Sequence, residues 1–274
     1  MRILDTHLHL VYKDRFSYPW LDGVPALNRD WTVESYWAEA ERLGIEQALH
    51  MEVDVAEKDM RAETEFVTAL HPRVVGAIAA ARPESRDFPV YLNHLAEIRG
   101  LKGIRRVLHV VPDEVSQADL FVENIQRLAN YRLPFDMCYR ADQLPLAKRL
   151  AAQCPDVQFV LDHCGVPNVE KQELDPWRGH ITELAALPNV AAKISGIVAY
   201  AGPNWTVATL RPFVEHVIEA FGWDRVVWGS DHPVCTLTAN LTRWVNATHE
   251  LIAGASEEEK ARLLHRNAER IYRI

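Results

Sequence analysis

The chain has 274 residues, 48% of them hydrophobic and 25% charged, with a formal net charge of -8. This is the balance of a globular chain with a large core, enough for two small domains or one barrel of ordinary size. The acidic excess argues against a nucleic-acid face, which needs clustered Lys and Arg, and no apolar run approaches the roughly 18 residues of a membrane span.

The first strand opens at Ile3-Leu4 and runs into Asp5-Thr6-His7-Leu8-His9. Side chains two apart on a strand share a face, so Asp5, His7 and His9 are expected on one side and Thr6 and Leu8 on the other. An aromatic loop from Val11 to Thr32 follows, with Trp20 near its middle. Apolar spacing then predicts helix Val33–Leu43, strand Gln47–Val53, helix Lys58–Leu70 and strand Val74–Ala80. Next come helix Phe88–Ile98, strand Leu101–Val107, helix Gln117–Asn130 and strand Phe135–Tyr139. The second half repeats the rhythm with helix Gln143–Gln153, strand Val157–Leu161, a helix ending over Ile181–Ala186 and strand Val190–Ile194. Helix Val207–Ala220, strand Arg225–Trp228 and helix Leu241–Ala253 precede a last helix, opened by Ser256 with Glu259 three later as a capping box.

Eight strands, each followed by helix and carrying apolar cores suited to a sheet buried on both faces, predict one α/β domain over residues 1–274, a single (β/α)8 TIM barrel. A doubly wound open sheet is the alternative. It would place a Gly-rich phosphate turn after the first strand, where His7-Leu8-His9 stands instead. The four cysteines lack CxxC spacing and read as reduced thiols, and Met1 leads into a strand with no basic-then-apolar leader, so a cytoplasmic location is expected. The N-x-T triplets at Asn204, Asn240 and Asn246 carry no meaning in that setting.

Barrel enzymes carry their chemistry at the C-terminal ends of the strands. Those ends read His7 and His9; His50, Glu52 and Asp54; Arg105-Arg106 with His109 beyond; Tyr139-Arg140; Asp162-His163-Cys164-Gly165; Lys193-Ile194-Ser195-Gly196; and Ser230-Asp231-His232-Pro233. Two imidazoles converging at a strand end make a metal-type or acid/base site. Neighbouring residues on a strand face opposite ways, so one of Arg105 and Arg106 faces the site and the other pairs with a helix carboxylate. Asp231 also suits a helix N-cap, and His163 a packed core histidine. Asp5 either accepts a bond from a neighbouring histidine or stabilises the turn.

With these phrases in order, joined by Tyr18-Pro19-Trp20, Leu101-Lys102-Gly103-Ile104-Arg105-Arg106 and Asn267-Ala268-Glu269-Arg270-Ile271-Tyr272, the sequence resembles the amidohydrolase superfamily over almost its whole length. More narrowly it is similar to the L-fuconolactonase-like sugar-lactone hydrolases of the type 2 branch. The resemblance implies hydrolysis of a ring ester. The residue matching Asp231 takes a proton from the attacking water, and those matching His7, His9 and His163 line the reacting centre. The carboxylated lysine of binuclear members is missing at the end of strand four, and Lys193 and Ser195 stand where a later histidine is found. The expectation is therefore at most one divalent ion, zinc or manganese, on His7, His9, His163 and Asp231, or a metal-independent site.

The catalytic expectation rests on Asp231, His163, His7 and His9. Arg105 or Arg106, Lys193, Trp20, His109 and Tyr139 are expected to contact substrate. The expected partner is a small sugar lactone, with neither nucleic acid nor membrane, and a homo-oligomer is compatible with the chain. Rival readings are hydrolysis of a carboxylated lactone or pyrone, metal-dependent decarboxylation, and a sugar-acid-binding barrel without activity.

Overall fold

The computed structural model describes residues 1–274. Eight parallel strands pair in sequence order: β1 (Ile3–Leu8), β2 (Ile45–Met51), β3 (Val74–Ala80), β4 (Leu101–Val107), β5 (Phe135–Cys138), β6 (Phe159–Leu161), β7 (Val190–Ile194) and β8 (Val226–Trp228). Helices separate them: α1 (Val33–Ala40), α2 (Met60–Leu70), α3 (Phe88–Ala96), α4 (Asp119–Gln126) with the short α5 (Leu128–Tyr131), α6 (Leu144–Gln153), α7 (Trp177–Ala185) and α8 (Val207–Phe221). After β8 come α9 (Leu241–Leu251), α10 (Glu257–Ala261) and α11 (Asn267–Tyr272), the last two joined by a π turn over Arg262–Arg266. The expected (β/α)8 barrel is borne out. No helix is long and apolar enough to cross a membrane.

One element prediction needs correction. The helix read over Gln117–Asn130 is two helices, preceded by a 3-10 turn at Asp113–Gln117 that Ala118 ends in extended backbone (φ -70°, ψ 140°). The helix before β7 runs over Trp177–Ala185, in line with the helix end read over Ile181–Ala186, and its Trp177 indole N–H donates to the Cys164 carbonyl at 2.8 Å. The Ser256 capping box forms, the Glu259 N–H reaching Ser256 Oγ at 3.3 Å while Glu259 accepts the Ser256 N–H at 2.7 Å.

The first strand does not alternate as a regular strand would. Asp5 pairs with Ala48 and Leu8 with His50, so three steps along β1 match two along β2. This β-bulge resets the inward and outward order. Leu4 packs inside the barrel, but Asp5 turns outward, where its carboxylate accepts the Tyr36 hydroxyl of α1 at 2.7 Å. His7 stays inside, so the expectation that Asp5 shares its face is overturned. Asp5 Oδ1 instead accepts the backbone N–H groups of His7 at 3.0 Å and Ser230 at 2.7 Å, tying β1 to the loop after β8. The closure there is backbone: Asp231 N–H donates to the His7 carbonyl at 2.9 Å, and His9 N–H to the His232 carbonyl at 2.8 Å.

The barrel interior is layered. Leu4, Leu49, Met51, Ile78, Val160, Ala191 and Val227 fill the lower part, and Ala268, Ile271 and Tyr272 of α11 plug its N-terminal mouth. Above this apolar layer lies a charged one. Ala191 faces the axis and Ala192 the helices, so Lys193 faces the axis again. Its ammonium, fully buried, lies 3.2 Å from Asp136 Oδ1 and 3.0 Å from Asp162 Oδ1, and the Tyr272 hydroxyl donates to Asp136 at 2.7 Å.

A buried cation between two carboxylates should be costly to remove alone, because it leaves both charges uncompensated. Lys193→Met is expected to lose about 3–5 kcal/mol of unfolding free energy in urea melts, while adding Asp136→Asn recovers part of that loss. A double variant no more stable than Lys193→Met would contradict the pairing.

Candidate active site

At the C-terminal end of the strands a cavity of about 320 Å³ opens above this charged layer. The structure brings His9, His163, Asp231, Arg105, His109 and Trp20 together on its wall. His7 lies directly beneath, its ring centroid 4.8 Å from that of His9 and 4.5 Å from that of His163. Backbone shape brings these groups close. Asp231 and His163 both sit at positive φ (56° and 54°), where a side chain other than glycine strains the chain. Two glycines make room. A Cβ on Gly196 (φ +59°) would meet His163 Nδ1 at 2.2 Å, and one on Gly229 would meet the His7 Cβ at 2.6 Å.

The hydrogen-bond partners fix which imidazole nitrogens carry protons. His9 Nδ1 lies 3.0 Å from the Met51 carbonyl, an acceptor, so Nδ1 holds the proton and Nε2 is a lone pair. Arg105 Nη1 donates toward His7 Nε2 at 3.4 Å, so this nitrogen is also a lone pair, while Nδ1 stands between Asp162 Oδ1 at 3.4 Å and the Lys193 ammonium at 3.2 Å. Both lone pairs look at the same carboxylate. Asp231 Oδ1 is 3.4 Å from His9 Nε2 and 3.7 Å from His7 Nε2, and Asp231 Oδ2 is buried with no partner.

Lone pairs and a carboxylate repel unless a positive charge stands among them. For metal–ligand bonds of about 2.1 Å, tetrahedral ligands stand about 3.4 Å apart, close to the spacing found. The wider surroundings agree. Four buried carboxylates, Glu52, Asp136, Asp162 and Asp231, surround two permanent cations, Arg105 and Lys193. Burial pushes His9 down to about 3 and lowers His7 and His163 as well, so the imidazoles add no charge at neutral pH. His7, His9 and Asp231 thus fit one divalent ion. His7, Asp162 and His163 form a second candidate group, but the Lys193 ammonium already lies 3.0 Å from Asp162 and 3.2 Å from His7 Nδ1.

Burial raises the Asp231 carboxyl to about 6, making it a stronger base than an ordinary aspartate. Asp162 behaves oppositely. Burial alone would push it up, and Lys193 and His7 more than reverse that, holding it well below the usual carboxylate range.

Of the two arginines, Arg105 faces the cavity. Ile104 packs among the helices, so Arg105 turns inward and Arg106 outward, where it pairs with Glu84 at 2.8 Å. Glu52 holds Arg105, accepting Nε at 2.6 Å on its carboxylate and Nη2 at 2.8 Å on its carbonyl. Three residues expected at the substrate lie elsewhere. Arg106 is one. Lys193 sits below His7 with no solvent exposure and outside the cavity wall, and Tyr139 turns among the helices because Cys138 before it faces the cavity. Trp20 is pinned through its indole N–H to the Val53 carbonyl at 2.7 Å, and His109 Nδ1 lies 3.1 Å from Cys138 Sγ. Asp54 and Tyr200 are among the wall residues not expected as contacts. Asp54 stood in view at the end of the second strand, but Tyr200 lies in a 3-10 turn after β7 that no local pattern marks.

Comparison with known proteins agrees with this architecture. The family model described as amidohydrolase matches residues 4–274. An L-fucono-1,5-lactonase of Burkholderia ambifaria is 28% identical over 99% of this chain and 95% of its own length. A 4-sulfomuconolactone hydrolase of Rhizobium radiobacter is 27% identical over 84% of this chain and 75% of its own. The crystal structure of an amidohydrolase from Burkholderia multivorans with bound zinc has the same fold, with a TM-score of 0.90 and 24% identity over the whole of both chains. With a barrel whose first strand delivers His7 and His9 to Asp231 after the eighth, and a match from residue 4 to the last, the chain belongs to the amidohydrolase family.

Proposed function

We propose that this protein opens a sugar aldonolactone to its aldonic acid by attack of water on the lactone carbonyl. The carrying observation is the convergence of the His7 and His9 Nε2 atoms on the Asp231 carboxylate at the base of the cavity. The names of the relatives support ring-ester hydrolysis as the reaction class.

Asp231 is the base. As the water oxygen bonds to the carbonyl carbon, one water proton passes to the carboxylate, and negative charge grows on the carbonyl oxygen. Arg105 and His163 on the cavity wall face that charge and stabilise it. Breaking of the ring C–O bond then releases the alcohol oxygen, which takes the proton back from Asp231. The base is thereby restored, and the product is an open-chain hydroxy acid.

One divalent ion fits on His7, His9 and Asp231, and when bound it supplies a lowered water pKa and polarisation of the carbonyl. The other residues act around that centre. Glu52 keeps Arg105 in place, and the ionised Asp162 lies 3.4 Å from His7 Nδ1, across the ring from the Nε2 that points to Asp231.

Asp231→Asn keeps the shape and removes the base. It is expected to lower kcat about 10³-fold in an acid-release assay while the melting temperature stays within a few degrees of wild type. Activity near the wild-type value would remove Asp231 from this role. Dialysis against a chelator is expected to abolish acid release and added zinc or manganese to restore it, with about one ion per chain by elemental analysis. Full turnover by metal-free protein would contradict the metal assignment and leave Asp231 as base.

A further inference from the structure

The charge of the cavity bears on what the rest of the lactone must look like, given the hydrolytic reading above, on which this inference rests. Arg105 is the only permanent cation on the wall. All three of its nitrogens are engaged, Nε and Nη2 by Glu52 and Nη1 by His7 and Asp162. Burial lowers the wall histidines His9, His109 and His163, leaving them neutral. Two carboxylates remain: Asp231 at depth, its side chain 2% exposed, and Asp54 nearer the opening at 30%.

Asp54 is held with some care. Its backbone is left-handed, φ 44°, a conformation that non-glycine residues adopt rarely and most often at functional positions. Its N–H donates to Glu52 Oε2 at 2.7 Å, so the residue that neutralises Arg105 also fixes Asp54. Arg82 pairs with Oδ1 at 3.2 Å, and a carboxylate is an acceptor of hydrogen bonds only. Oδ2 receives no hydrogen bond, and the pinned Trp20 indole stands beside it on the wall, bonded to the carbonyl of the preceding residue.

We propose that Asp54 selects a neutral, hydroxyl-bearing lactone, its carboxylate accepting ring hydroxyls and repelling any carboxylate or sulfonate on the substrate. Such a residue gives specificity by attraction to one substrate class and repulsion of another. Arg82 offsets the charge on one oxygen only and is itself no part of the cavity wall.

The test compares kcat/KM on three six-membered lactones: a polyhydroxylated aldono-1,5-lactone, unsubstituted δ-valerolactone, and a lactone bearing a ring carboxylate. Wild type is expected to prefer the polyhydroxylated over the carboxylated lactone by about 100-fold or more. Asp54→Asn, which tolerates the left-handed backbone, should shrink that preference at least about tenfold. The loss on the hydroxylated lactone should fall mainly on KM, and its advantage over δ-valerolactone should narrow. Asp54→Ser is the second variant should the first fold poorly. An unchanged preference in a folded variant overturns the role of Asp54, as does a wild-type enzyme favouring the carboxylated lactone. Failure to open any of the three removes the hydrolytic reading and this inference together, whereas turnover with unaltered preference removes only the latter.

Discussion

Between Asp5 and Leu8 the first strand carries one residue more than its neighbour, and the geometry of the barrel's closing seam follows from where that residue is placed. With regular alternation from Leu4 inside the barrel, Asp5 and His7 would both face the helices, and the extra residue after Asp5 returns His7 to the axis. Asp5 stays on the helix side, where it satisfies two backbone N–H groups and a tyrosine hydroxyl. One of those N–H groups belongs to Ser230, so the same carboxylate that sets the entry of His7 also anchors the loop that carries Asp231. The imidazoles of His7 and His9 and the Asp231 carboxylate are thereby held in register by one side chain that lies outside the cavity wall.

Beneath the site, charge is balanced by position rather than by number. Lys193 bridges Asp136 and Asp162, and Arg105 is clamped by Glu52. The protein holds Asp162 ionised next to His7 Nδ1, across the ring from the Nε2 that points to Asp231. The residual negative charge is concentrated where two lone pairs and Asp231 meet, which is where a divalent ion or a proton in transit is accommodated best. The Tyr272 hydroxyl on Asp136 extends this network to the last helix, so the C-terminal plug stabilises the same charges that organise the chemistry.

Much of this was legible in the sequence, for physical reasons that can be named. Strands such as Val74–Ala80 were readable because a strand buried on both faces is continuously apolar, and a barrel then places every strand end on one rim. His7, His9, His163 and Asp231 were singled out because polar residues at such ends have few structural reasons to be there, and the structure brings the four together at the cavity. Asp5 was misplaced because a bulge is set by pairing across strands and leaves no mark in a single strand's alternation. Lys193 was misread for a related reason. Facing the axis is visible from periodicity, but depth along the axis is not, and Lys193 lies below His7 rather than beside the substrate. Arg105 and Arg106 could not be told apart until Ile104 was seen packing among the helices.

The most direct measurement of the central claim is turnover of a neutral aldonolactone in ¹⁸O-labelled water, with the product acid examined by mass spectrometry. Water attack at the carbonyl, with Asp231 as base, predicts one ¹⁸O in the carboxyl group of the product from wild type and product formation about 10³-fold slower from Asp231→Asn. Label on the released alcohol oxygen, or equal labelled product from the Asp231→Asn variant, would contradict the account.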